Sequence, residues 1–210
     1  MLAVPQNLAP ELSVCIGHRN RAFRKNGEPG FRRCYPTILD SLKAVGVTCE
    51  IVIAEWSDDV SRCIGVWVYD LARSAGIDVR VIYPSGEWTM GGAKKRAAAA
   101  ARGKVLAFID ADMIVVPEVF RRGLEVARQG RGFFPGYMFE HRYHPELPLV
   151  EGKGFGNAIV GRREFELCYG FLEGPYAAGE DAWFARWWHE RGLAVREDVP
   201  GFLHIWHDPT

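Results

Sequence analysis

The stretch VLAFIDADMIV, Val105 to Val115, places two aspartates, Asp110 and Asp112, at the end of an otherwise apolar run. An unpaired carboxylate is costly to bury, so two of them there point to a metal ion as partner. In open α/β sheets ligands gather beyond the carboxyl ends of the strands, where both residues fall if KVLAFID is a strand. Extended geometry turns both side chains to one side, so that one carboxylate coordinates a divalent cation while the other meets the metal or a ribose. The competing reading is an aspartate that caps the following turn or helix.

Other groups could join such a site. GFLHIWHDP places His204 and His207 three residues apart near the end of the chain, and imidazole nitrogen together with carboxylate oxygen suits Mn²⁺. Glu180 and Asp181 stand at the predicted start of a helix, AWFARWWHERG, where the macrodipole alone favours acidic residues. Aromatic residues surround that segment: Tyr176, Trp183, Phe184, Trp187 and Trp188. Indole stacks well on the CH faces of sugars, but Trp183 and Trp187 are one helical turn apart, which also fits core packing. We expect Trp187 or Trp188 in the core and Trp183 as a candidate acceptor platform. The loop HRNRAFRKNGEPGFRR is strongly basic and carries Arg19 and Arg21, whose guanidinium groups can grip phosphate through two hydrogen bonds.

The order SVCIGHRNR, EIVIAEWSDD, GGAKKRAAAAARGKVLAFIDADMIV, FGNAIVGRREFELCYGF, GEDAWFARW, HIWHDP resembles the GT-A fold glycosyltransferases of the family-2 type, from about Ser13 to Pro209. The last part resembles the C-terminal motif of the β-1,4-galactosyltransferases. The resemblance implies a single Rossmann-like α/β domain over residues 1–210, with a central, mostly parallel sheet flanked by helices. Residues 12–116 would form the nucleotide-sugar-binding half, and residues 117–210 the half that meets the acceptor and completes the metal site. It implies a metal-dependent, inverting transfer from a nucleotide-sugar, a UDP-sugar above others, to a hydroxyl acceptor. Asp112 would bind Mn²⁺ (or Mg²⁺), with His204 and His207 as further ligands; mammalian galactosyltransferases have methionine where His204 falls. Asp110 would lie near the ribose or the metal's water shell.

The same resemblance makes Asp181 the general base for the acceptor hydroxyl, supported by Glu180. Arg19 and Arg21 would border the nucleotide. Glu55 and Trp56 replace the usual Asp-Asp beside the nucleotide base, where Trp56 could stack. Lys95, in Gly91-Gly92-Ala93-Lys94-Lys95-Arg96, would contact the donor from a helix whose N-terminus makes an anion-facing surface. Gly156 and Asn157 would run beneath the transferred sugar. A nucleotidyltransferase of similar α/β plan is the enzymatic alternative, although the first loop lacks its Gly-rich phosphate cradle. A catalytically silent nucleotide- or carbohydrate-binding module is the other.

The elements needed to position these groups are legible. LSVCIG, CEIVIAE, DVRVIY and KVLAFID read as buried strands. Between them YPTILDSLKAV, VSRCIGVWVYDLARSAG and GGAKKRAAAAARG read as helices, with Gly76 and Gly103 as C-caps. This alternation predicts a parallel sheet in the first half. VPEVFRRGLEVARQG reads as a further helix, followed by a loop-rich stretch from Phe139 to Lys153 that would help choose the acceptor.

The chain is long enough to bury one core, and nearly half of it is apolar. Its 26 Lys and Arg balance 26 Asp and Glu, so net charge gives no argument for nucleic acid or an anionic membrane. The five scattered cysteines read as reduced core thiols, which suggests the cytoplasm. No apolar run is long enough to span a bilayer.

Overall fold

The computed structural model describes residues 9–19, 30–56, 64–140, 148–152, 154–173 and 179–205. The chain starts with β1 (Leu12–His18), α1 (Gly30–Val45), β2 (Cys49–Glu55), α2 (Trp67–Ala75), β3 (Asp78–Ile82), α3 (Met90–Ala100) and β4 (Val105–Phe108). It continues with β5 (Met113–Ile114), α4 (Pro117–Arg128), β6 (Gly132–Phe139), β7 (Val150–Gly152), β8 (Ala158–Gly161), α5 (Arg162–Leu167), α6 (Glu180–Glu190) and β9 (Ala194–His204).

Among the described residues these strands form one sheet in the order β3-β2-β1-β4-β8-β6-β9-β5, with β7 on the edge of β6. β3, β2, β1 and β4 run parallel, as their alternation with helices predicts. β8 is antiparallel to β4, and β6 pairs parallel with β9, so the second half of the sheet is mixed. The central strands are buried on both faces, hence their continuous apolar runs. Along β1, Val14 and Ile16 face a layer built by Tyr35, Ile38 and Leu42 of α1, Val68 of α2 and Phe120 of α4. Cys15 faces the opposite layer, with Ala97 of α3, Phe165 of α5 and Phe184 and Trp188 of α6.

Several boundaries differ from the sequence reading, among them the start of α2 at Trp67, with residues 64–66 ahead of it not helical. α1 starts at Gly30, ahead of Tyr35, and keeps Pro36 inside. Burial of Phe31, Cys34 and Tyr35 carries the helix through the hydrogen bond that proline removes. Gly76 does cap α2, with φ 72° and its N–H on the carbonyls of Ala72 and Arg73, whereas α3 ends in extended backbone at Ala101. Gly103 is instead required because a Cβ there would stand 2.5 Å from Ser13 Oγ and 2.6 Å from Ser13 N. The stretch read as a loop contains β7, antiparallel to the end of β6. No helix among the described residues is long and apolar enough to cross a membrane.

The strand order reverses between β1 and β4: β1 leads to β2 on one side, and β3 crosses over to β4 on the other. The carboxyl ends of these two strands therefore open onto the crevice where ligands of doubly wound sheets bind. Thr37 and Ser41 of α1 hold the chain after β5 from below. Val115 N–H donates to Thr37 Oγ1 at 3.0 Å, and Ser41 Oγ donates to the Val115 carbonyl at 3.0 Å.

Candidate active site

Asp110 and Asp112 leave β4 at that crevice. The Asp110 N–H donates to Asn157 Oδ1 at 2.9 Å, and Asn157 Nδ2 donates to Asp110 Oδ2 at 3.3 Å. Asn157 can do this because β8 lies antiparallel to β4, with Ala158 opposite Phe108. Asn157 is itself buried, so one amide side chain fixes both the backbone and the carboxylate of Asp110.

Asp112 is 3% exposed. Its carbonyl accepts the Ile205 N–H at 2.9 Å, and its Oδ2 lies 3.4 Å from His204 Nε2. The pairing of Met113 with His204 across β5 and β9 sets this approach. The His204 ring packs against Phe139 at 4.7 Å and Tyr137 at 6.2 Å. A buried carboxylate next to an imidazole is the donor chemistry that Mn²⁺ accepts. The described residues contain no cluster of three metal-ligating side chains. His207, expected as a further ligand, lies outside the described residues, as do Arg21 and Tyr176.

Asp181 occupies the first turn of α6, and its Oδ1 lies 3.3 Å from Lys94 Nζ. Lys94 also lies 3.3 Å from Asp110 Oδ1 and donates to the Gly156 carbonyl at 2.8 Å. Asp110, Asp181 and Gly156 thus meet around one ammonium group, with Asn157 bound to Asp110 beside it. The absence of a side chain at Gly156 is what allows this: a Cβ there would stand 2.7 Å from Asp110 Oδ2, 2.9 Å from Asp181 Oδ2 and 3.3 Å from Lys94 Nζ. Burial pushes the Asp181 carboxyl above the ordinary aspartate value; Lys94 draws it down and the Asp110 charge adds to the rise. Burial likewise raises the neighbouring Glu180, which is 6% exposed.

The remaining expected residues are spread around this centre. Arg19 is half-buried just beyond β1. Glu55 is 2% exposed, with its carboxylate 3.0 Å from His18 Nδ1 and accepting the Ile64 N–H at 3.2 Å, so it is turned into the protein. Trp56 donates from Nε1 to the Gly86 carbonyl at 3.1 Å and meets Trp88 edge-on at 5.4 Å. Lys95 points away from the carboxylates and pairs with Glu173 at 2.9 Å. The N-terminus of α3 is closed rather than open to an anion: Thr89 Oγ1 caps the Gly92 N–H, and Gly91 packs under the Leu172 carbonyl. Trp188 is core, whereas Trp183 is 48% exposed and lines a groove of about 470 Å³ with Tyr169, Leu172 and Trp187.

Sequence reasoning missed Lys94, Tyr137 and Trp88. Tyr137, on β6, is buried, and burial together with the charges of Asp110, Asp181 and Asp112 pushes its hydroxyl pKa upward. Trp88 packs against the end of β1, where a Cβ on Gly17 would come within 3.3 Å of its ring. An amphipathic period would have singled out Lys94, but the alanine run that follows it marks no face.

A mixed sheet with helices on both sides and a carboxylate-lined crevice at its switch point defines a GT-A glycosyltransferase architecture. The chain belongs to glycosyl transferase family 2, whose model matches residues 36–144, more than half of it. Membership of that family weighs against the nucleotidyltransferase alternative. The fold is similar to that of S. aureus TarS 1-349 in complex with UDP-GlcNAc, with TM-score 0.66 and 12% identity over 95% of this chain and 60% of that one. It is similarly close to the complex of TarS 1-349 with UDP, with TM-score 0.65 and 12% identity over 93% of this chain and 60% of that one. The chain therefore spans about 60% of the length of those structures. No curated protein matches it significantly in sequence.

Proposed function

We propose that the chain is a metal-dependent, inverting glycosyltransferase that moves a sugar from a UDP-sugar to a hydroxyl acceptor. The observation that carries this reading is Asp181, a carboxylate of raised pKa facing Asp110 across the crevice at 3.3 Å from Lys94. In the reaction the acceptor oxygen attacks the anomeric carbon, the bond from that carbon to the diphosphate oxygen breaks, and Asp181 takes the acceptor's proton. Attack from the face opposite the leaving group inverts the anomeric centre. Glu180 braces the turn that presents Asp181.

Asp112 and His204, with His207, would hold the cation, and their mixed oxygen and nitrogen set fits Mn²⁺ or Mg²⁺. The cation's chemistry is to offset the charge developing on the departing nucleoside diphosphate. The UDP and UDP-GlcNAc complexes of a protein of the same fold support the choice of donor. In the donor half, 12–116, Arg19, Arg21 and Trp56 would meet the nucleotide, Lys95 would do so only on leaving Glu173, and Asp110 would face the ribose. Glu55 would act there by fixing His18. Gly156 and Asn157 form the floor, and Trp183 belongs to the acceptor half, 117–210.

Calorimetric titration with UDP tests the donor site. Binding should need Mn²⁺ or Mg²⁺, and Asp112→Ala should weaken it at least roughly tenfold, about the loss of one charge-assisted contact. Equal affinity in metal and in chelator would remove the metal from the site. Absence of UDP binding with metal present would overturn the donor assignment.

A further inference from the structure

Lys94 is 1% exposed, yet it is the residue on which both halves of the site converge. A buried ammonium is tolerated only when its charge and its hydrogen bonds are satisfied. Its three N–H donors have three acceptors: the Gly156 carbonyl at 2.8 Å, Asp110 Oδ1 at 3.3 Å and Asp181 Oδ1 at 3.3 Å. Phe171 closes the remaining side, with its ring centroid 5.0 Å from Nζ. No donor is left over for a phosphate oxygen, which separates Lys94 from an ordinary basic contact to the nucleotide. Asp110 is fixed on its other side by Asn157. Asp181 has no such second support: its Oδ2 has no hydrogen-bond partner among the described residues. That oxygen is the one left to receive a proton, and Lys94 holds its carboxylate in place.

We propose that Lys94 is a positioning residue, which aims Asp181 at the acceptor hydroxyl and yokes it to Asp110 on the donor side so that the two carboxylates act as one unit. The proposal rests on Asp181 being the general base. Without the ammonium, two carboxylates crowded over Gly156 repel each other, and Asp181 swings out of line while the metal and nucleotide contacts persist. Lys94 therefore acts through Asp181, and its removal is felt in turnover rather than in donor affinity.

A double-mutant cycle on Lys94→Met and Asp181→Asn tests this, with UDP affinity in Mn²⁺ and hydrolysis of UDP-glucose, UDP-galactose, UDP-GlcNAc and UDP-GalNAc as readouts. On the donor hydrolysed fastest, each single variant should lose roughly a hundred- to ten-thousand-fold in kcat, the range of a lost general base. The double variant should fall no more than about threefold below Asp181→Asn alone, because residues that act as a unit are not additive. UDP affinity should stay within about threefold throughout, which also reports that the variants are folded.

Gly156→Ala gives an independent route should Lys94→Met fail to fold: its methyl group wedges the three side chains apart without removing a charge, and it too should lose turnover but not UDP. Losses that multiply in the double variant, a Lys94→Met enzyme that turns over normally, or one whose main defect is UDP affinity would overturn the proposal. Normal turnover in Asp181→Asn alone, or no hydrolysis of any of the four donors by the wild type, would overturn the functional reading beneath it.

Discussion

At the scale of single residues the site is a problem in like charge, since Asp110, Asp112, Glu180 and Asp181 are drawn to one crevice. Their coexistence depends on particular partners: Lys94 between Asp110 and Asp181, Asn157 on Asp110, and His204 beside Asp112. The raised pKa of Asp181 has a kinetic consequence, because a general base acts only when deprotonated. Donor hydrolysis, measured as kcat/KM against pH, should fall on the acid side with a midpoint above the ordinary aspartate value of 3.8, and Asp181→Asn should abolish that limb. A limb at or below 3.8, or one that survives in the Asn variant, would contradict the assignment. The carboxylates were legible in the sequence because charge at the end of an apolar strand is conspicuous. Their counterion was not: Lys94 and Lys95 are adjacent in a helix, and only packing against Phe171 and Gly156 decides which of them turns inward.

At the scale of elements, the contact between α3 and the chain after α5 decides how the site is enclosed. A Cβ at Gly91 would stand 2.0 Å from the Leu172 carbonyl oxygen, which is backbone and cannot rotate away. Gly91→Ala should therefore lower stability by about 1–3 kcal/mol, the usual cost of overpacking, and thermal unfolding would register it. An unchanged melting temperature would mean that this segment gives way easily, and that Phe171 does not hold Lys94 firmly. The parallel half of the sheet could be read from the sequence because β1 to β4 are apolar runs separated by helices, a pattern with few topological solutions. The second half could not. Its order depends on β9 entering beside β6 in parallel and on a register shift between Gly136 and Met138, and such long-range pairings leave no local signature. The start of α1 was missed for the opposite reason: a local signal, Pro36, was outweighed by burial of Phe31 and Tyr35.

At the scale of the whole molecule, the first strands and the helix behind them are bound by Glu50, which is 1% exposed. Ser13 Oγ donates to its Oε1 at 2.8 Å, Arg102 Nε to its Oε2 at 2.9 Å and an Arg80 nitrogen to the same oxygen at 3.1 Å. Burial opposes its ionisation, but the Arg102 N–H, the Ser13 hydroxyl and the Arg102 guanidinium outweigh burial and hold the carboxyl below the ordinary value of 4.5. The unfolded chain therefore binds more protons between the folded and unfolded pKa values. Glu50's contribution is complete above about 4.5 and is lost as pH falls through the lower, folded value. In melting curves against pH, Glu50→Gln should be less stable than wild type at neutral pH, with the gap closing below 4.5; a constant gap would contradict this. The sheet so held brings Asp110, just beyond β4, and Asp181 on α6 to one crevice, which on our proposal transfers a sugar by single displacement with Asp181 as base. The most direct test is NMR of the product anomer from a hydrolysed UDP-sugar, run with wild type and Asp181→Asn side by side. An inverted anomer is expected, with a rate in the Asn variant roughly a hundred to ten thousand times lower at unchanged UDP affinity. Near-wild-type turnover in the variant, or a retained configuration, would contradict it.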